Sequence, residues 1–347
     1  MESTPASIVV SSRPRGPVHT GAYSCRLHTP ARKLGLDTPR SHRLVASTRK
    51  FGKQGDDSLN FEGLLKKSWK LFSLSPLYNF KRGDAVFKKY SRSLDAAFSQ
   101  SNLNPAENSP VRSYFSVYPG LSTHENDPEA VRIQVVEKNK SGSGDTIVLT
   151  AVLMCVDVDH SPVSEDLSSH FVYYPVVLMC GNKGRSETLL LWLERHFDCH
   201  AAPLGFHDND MRWMLAMWSS QGQPAKTLPV LMQYSLKNIA EDLGISTIDC
   251  KLDSNFCKDL WERLHGDASS REEMDESQVN TFVEALESHL EYIMSIYFSK
   301  MSLSEVGTPV AYVSNLGKLK LLSASGVYLA LHLICEISVE RFVSSTS

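Results

Sequence analysis

No C-x-x-C couplet occurs among the seven cysteines of this 347-residue chain. They stand singly at 25, 155, 180, 199, 250, 257 and 335, several inside apolar runs such as LMCV, VLMC and LHLIC. There an unpaired cysteine behaves as a small buried hydrophobe. A scattered, odd-numbered set argues against a disulfide framework and suits a reducing compartment. Apolar runs that could span a bilayer are also missing, since the longest are short or interrupted by His and Glu. The first residues lack the apolar centre of a signal peptide. These absences predict a soluble intracellular protein with no membrane association.

Catalytic signatures are equally scarce. Neither a G-x-S-x-G elbow nor an H-E-x-x-H helix is present. Gly181-Asn182-Lys183-Gly184-Arg185-Ser186 lacks the G-x-x-x-x-G-K-[ST] spacing that wraps a triphosphate, and reads as a turn with Ser186 capping a helix. His196, Cys199, His200 and His207 form the single cluster resembling a metal site. Cys199 and His200 are adjacent and would diverge if the helix continued, whereas zinc needs four ligands in a tetrahedron. Asp157 and Asp159, with His160, do acid–base work only if their environments split the two pKa values. No metal or cofactor is expected, and the chain reads as a non-enzyme.

What is present is bulk and an uneven charge. Apolar residues make up 42%, enough for a sizeable core. Residues 1–55 hold ten Lys or Arg against Glu2 and Asp37, a balance of +8. With −3 for the whole chain, the remaining 292 residues carry −11. A basic arm on an acidic body fits a segment that seeks nucleic acid or an acidic surface. Residues 1–57, rich in Pro, Ser, Thr and Arg, are expected to be a disordered tail. Within it Thr29 and Thr38, each followed by proline, are candidate phosphorylation sites, and the SSRPR and TRK clusters fit an import signal.

Beyond the tail, Leu64, Leu65, Trp69 and Phe72 fall at helical spacing, with Lys66, Lys67 and Lys70 opposite, and predict an amphipathic helix. Pro76 then forces an extended link. A second helix follows with Phe87, Tyr90, Leu94 and Phe98 on one stripe. Strands are predicted at 112–118, 131–137, 146–156 and 171–180, the last interrupted by Pro175. Helices are expected at 186–197 and 208–219, strands at 230–236 and 246–252, and helices at 256–264 and 276–301. Strands at 306–314 and 316–322 form a hairpin about Asn315, and a helix over 327–342 closes the chain. The predicted class is α+β: two lobes of antiparallel sheet with helices packed mainly on one face, spanning 58–240 and 241–347. Such a layout leaves an opposite sheet face free to bind.

Several of these stretches together resemble a known family. Trp69 and Leu71, SLSPLYNF (Ser73–Phe80), KKYSRSLDAAF (Lys88–Phe98), DPEAVRIQVV (Asp127–Val136), FDC (Phe197–Cys199), RWMLAMW (Arg212–Trp218), DLW (Asp259–Trp261) and GKLKLL (Gly317–Leu322) follow the order of the centromere protein L family of inner-kinetochore subunits. The likeness runs from about residue 59 to the C-terminus. The tail before residue 58, residues 100–125 and residues 266–275 match poorly.

The resemblance implies a non-catalytic scaffold in the nucleus, at the centromere and kinetochore, acting in chromosome segregation. It implies a heterodimer with centromere protein N, and contacts with centromere protein C, other inner-kinetochore subunits and centromeric chromatin or DNA through the complex. It places a partner interface near the C-terminus, where Val310, Tyr312 and Val313 are candidate contacts, and it places GKLKLL where the complex grips DNA. Strand alternation projects Lys318 and Lys320 together, with Leu319 and Leu321 turned inward. The other explanation of these lysines is that they guard an exposed strand edge against aggregation. Two further readings stand beside the family one: a free-standing nucleic-acid-binding module working through the basic tail, and a metal-dependent enzyme built around Cys199.

Overall fold

The computed structural model describes residues 7–10, 42–44, 61–101, 111–122, 127–138, 144–156, 170–221, 228–236, 246–266 and 273–346. The strands are β1 (Ser7–Val10), β2 (His42–Leu44), β3 (Trp69–Leu74), β4 (Leu77–Tyr78), β5 (Val111–Tyr118), β6 (Ala130–Lys138), β7 (Asp145–Met154), β8 (Phe171–Val172), β9 (Val176–Gly181), β10 (Ala201–Pro203), β11 (Val230–Ser235), β12 (Thr247–Leu252), β13 (Glu273–Asp275), β14 (Ser302–Gly307), β15 (Ala311–Ser314) and β16 (Lys318–Leu321). The helices are α1 (Asp84–Ser101), α2 (Lys183–Phe197), α3 (Asp208–Gln221), α4 (Ser254–His265), α5 (Glu276–Met294) and α6 (Val327–Thr346).

The fold is α+β on an antiparallel sheet. Its strands run β1-β12-β11-β14-β15-β16-β3-β9-β7-β6-β5, with β10 paired to β3. Strands from the two halves of the chain thus share one sheet, joined where β16 meets β3. The expected boundary at 240/241 lies outside the described residues. Two segments of the N-terminal 57 residues are extended: β1 pairs with β12 and β2 with β13. Thr29 and Thr38 lie outside the described residues.

A hydrophobic cluster lies on each face of the sheet. The larger gathers Trp69, Leu71, Met232, Val313 and Leu319 with residues of α3, α4, α5 and α6. The smaller gathers Leu74, Val177, Met179 and Ile133 with α1 and α2. Four helices therefore share one face. The other two cover only part of the opposite face.

The stretch before β3 departs from expectation. A short 3-10 turn at Phe61–Gly63 leads into strand β3, and no α-helix forms over Leu64–Phe72. Lys66 sits at φ 59, and the Trp69 indole N–H donates to the Leu64 carbonyl at 2.9 Å. Only an extended chain sends Trp69 and Leu71 to one cluster and Leu74 to the other. Burial of each large apolar side chain contributes about 1.5–3 kcal/mol, against helix-propensity differences of at most about 0.7 kcal/mol per residue. Packing wins, and the neighbours β9 and β16 supply the hydrogen bonds.

Other departures are smaller and have local causes. Asn182, not Ser186, caps α2, its side chain accepting from the Gly184 N–H. Helix α5 stops at Met294 because Ser295 turns left-handed at φ 54. The strand expected over 306–314 is two strands, β14 and β15, separated by a turn in which the Thr308 hydroxyl accepts from Val310 and Ala311. Pro309, which cannot donate to a ladder, sits in that turn.

The outermost strands of the sheet are β5 and β1. At one, the Ser113 N–H of β5 donates 2.6 Å to Asp95 of α1. At the other, β1 lies along β12. Among the described residues no helix is long and apolar enough to cross a membrane.

Candidate functional site

The face that α1 and α2 leave open is the candidate site. Residues of β11, β12, β14, β15 and β16 that point away from the larger cluster are absent from the smaller one, so among the described residues no core covers them. Across this open face the side chains change character in order.

Toward β12 the face is polar and internally satisfied. The Gln233 amide donates 2.6 Å to Asp249, and the Ser304 hydroxyl donates to the Gln233 carbonyl at 3.1 Å. Tyr312 follows on β15, half-buried, its hydroxyl donating to Glu305. Its ring edge lies beside Gly307, where an added Cβ would come within 3.2 Å of Cδ2. Then the face turns basic. Lys318 and Lys320 are exposed on β16, with Leu319 and Leu321 buried beneath, as strand alternation requires. Lys318 stands opposite Lys70 of β3, which is also exposed. None of these three lysines forms an ion pair among the described residues.

Position within the sheet removes one explanation of the lysines. β16 is bonded to β15 on one side and to β3 on the other. It is not an edge, and charges here guard none. Sequence reasoning missed Lys70 because it placed this residue on a helix. The Trp-Lys-Leu alternation over 69–71 was the signal that could have found it.

The partner-binding candidates separate. Val310 and Val313 are 4% and 0% exposed and belong to the larger cluster, so their side chains do not reach the surface of this chain. Tyr312 points the other way. The hairpin's outer strands are already paired, β14 with β11 and β16 with β3, so it offers no unpaired backbone for strand addition.

A buried polar network holds the strands from below. Arg212 of α3 contacts Asp208 at 2.8 Å and Glu287 of α5 at 3.1 Å, while the Tyr234 hydroxyl of β11 donates to Glu287 at 3.1 Å. Asp208 also accepts from the Leu303 N–H of β14 at 2.7 Å. Burial pushes the Glu287 carboxyl above its ordinary range, against the opposing pull of Arg212 and Tyr234. The network ties two helices to β11 and β14, which braces the platform behind the open face.

The residues neighbouring Cys199 in sequence do not converge. His196 stacks on Trp192 at 4.9 Å, His200 lies 3.4 Å from Glu194, and the His207 N–H donates to Asp210. Burial pushes the Cys199 thiol up to about 11, away from the reactive thiolate. Among the described residues no three His, Cys, Asp or Glu side chains are grouped to hold a metal ion. Asp157, Asp159 and His160 lie outside the described residues.

Comparison with known proteins gives one consistent result. The family profile described as "Centromere protein L" matches residues 63–339. A Homo sapiens protein named Centromere protein L is 28% identical over 284 residues, 80% of each chain. The Gallus gallus protein of that name is 27% identical over 349 residues, 98% of this chain and 96% of its own. The Danio rerio protein is 23% identical over 347 residues, covering 97% and 92%.

Proposed function

The chain belongs to the centromere protein L family, and from that premise we propose that it is a non-catalytic scaffold of the inner kinetochore. In this reading it heterodimerises with centromere protein N. The pair meets centromere protein C and other inner-kinetochore subunits on centromeric chromatin in the nucleus, for chromosome segregation. Its open sheet face supplies Tyr312 toward a protein partner, and Lys70, Lys318 and Lys320 toward the phosphates of DNA.

The observation that carries the reading is the span of the family match. It contains both strands of the lysine row, β3 and β16, and the strand that presents Tyr312. Contacts through lysine to phosphate position a protein on DNA without reading sequence, in keeping with a scaffold. The experiment is size-exclusion chromatography of the pure chain with and without centromere protein N from the same organism. A stoichiometric heterodimer is expected. Separate elution, with DNA binding by the chain alone that is lost on deleting residues 1–57, would replace the scaffold with a module acting through its basic tail.

A further inference from the structure

On the far side of α1 and α2 from the sheet lies an open trough of about 610 Å³. Its shape follows from small residues. Ser93, Ala96 and Ala97 on α1 leave room that larger side chains would fill, and Trp192 of α2 forms the floor. That floor is fixed: the Trp192 indole donates to the Ser93 hydroxyl at 3.0 Å and the ring stacks on His196. Leu191, 49% exposed, makes an apolar wall. From Ser93 to Ser101 the trough runs about 12 Å, two turns of helix at about 1.5 Å per residue.

The charge on the lining itself has one sign. Among the described residues no carboxylate lines it, and Arg195 stands exposed at its rim. Lys88, Lys89 and Arg92 are exposed on the adjoining turns of α1. Nearby acids are engaged elsewhere: Asp95 accepts from Ser113 on β5, Glu187 pairs with Lys183 at 3.7 Å, and Glu194 accepts from the Ala201 N–H. A basic rim on a body that carries −11 outside its tail is a local inversion.

We propose that this trough is a docking groove for a short acidic segment of a partner protein, bearing a bulky apolar side chain that seats on Trp192 and Leu191. The inversion of charge selects the occupant. The chain's own tail carries +8 and is repelled. A second copy docked face to face would set Arg195 and its neighbours against themselves. An acidic segment gains attraction to the rim, while its apolar anchor gains burial on a floor already held in place. The assignment rests on the trough itself and stands apart from the open-face reading.

The test selects displayed peptides of about twelve residues, roughly three helical turns, against the full chain. Enriched sequences are expected to combine a bulky apolar residue with two or more Asp or Glu. A fluorescein-labelled enriched peptide is then titrated by anisotropy. Arg195→Glu and Ala96→Glu, both at exposed positions, should weaken binding by about tenfold or more, and Lys258→Glu on α4 by less than about twofold. Circular dichroism checks that each variant folds. Selection without an acidic-apolar pattern, or equal affinity for all variants, overturns the proposal. So does a concentration-dependent dimer by light scattering that Ala96→Glu abolishes, which would seat a second copy in the trough.

Discussion

Lys318 and Lys70 face each other directly across the β16–β3 ladder, two exposed ammonium groups in the interior of a sheet. Like charges directly opposite in a sheet are destabilising, on a scale of about 0.2–1 kcal/mol per pair. Lys318→Gln should therefore stabilise the free chain by up to about 0.5 kcal/mol in urea denaturation at low salt, with the gain shrinking as salt screens the pair. A variant less stable than the wild type at low salt would show that the lysines do not repel.

A phosphate between the two would relieve that repulsion. Replacing Lys70, Lys318 and Lys320 with Ala in the complex with centromere protein N should weaken DNA binding. Log affinity against log salt should also flatten by about 0.9 for each phosphate that the variant no longer neutralises. Unchanged slope and affinity would remove DNA from this face.

The two halves of that row were not equally legible. Alternation in Lys-Leu-Lys-Leu suffices to place Lys318 and Lys320 on one side of a strand. Trp69-Lys70-Leu71-Phe72 fits periods of both 2 and 3.6, and the choice fell to β9 and β16, remote in sequence. Helix α1 was plain because Phe87, Tyr90, Leu94 and Phe98 recur only at helical spacing, and all four are buried. What no local pattern carries is which strands flank the β15–β16 hairpin, and hence that its edges are closed. The trough between α1 and α2 was invisible for a similar reason, since small residues signal space only when a second helix stands beside them.

Tyr312 and Val313 are neighbours on opposite faces and should behave as opposites. Tyr312→Asp keeps the core intact, gives up the hydroxyl bond to Glu305, and sets a second carboxylate beside it. The expected outcome is a folded chain that no longer co-elutes with centromere protein N. Val313→Asp places a carboxylate where the native side chain is 0% exposed and should cost more than about 4 kcal/mol, seen as lost circular dichroism. Retained co-elution of Tyr312→Asp would move the partner interface off this face.

Gly317 immediately precedes the strand that carries Lys318 and Lys320, and nothing larger fits there. Its φ is +71, and a Cβ would lie 1.9 Å from the backbone oxygen of Leu204. Its carbonyl accepts from the Leu71 N–H at 2.8 Å, joining β16 to β3 at that end. Gly317→Ala should destabilise by about 3 kcal/mol or more, because strain and backbone clash add. An effect under about 1 kcal/mol in urea denaturation would show that the turn yields.

Glu287 should leave a signature in the pH dependence of stability. Burial raises its carboxyl above the ordinary 4.5, with Arg212 and Tyr234 offsetting only part of the rise. The folded chain thus holds this proton more tightly than the unfolded chain. The stabilisation from that preference is complete below the unfolded value and is lost as pH climbs through the folded one. Gln at this position cannot titrate, yet its carbonyl oxygen can still accept from Tyr234. Over a scan from about pH 4 to about pH 7, Glu287→Gln should therefore fall furthest behind the wild type at the acid end, with the difference shrinking as pH rises. Urea midpoints for the two proteins across that window give the comparison. A gap that widened with rising pH would mean that pairing with Arg212 outweighs burial and holds the carboxyl below its ordinary value.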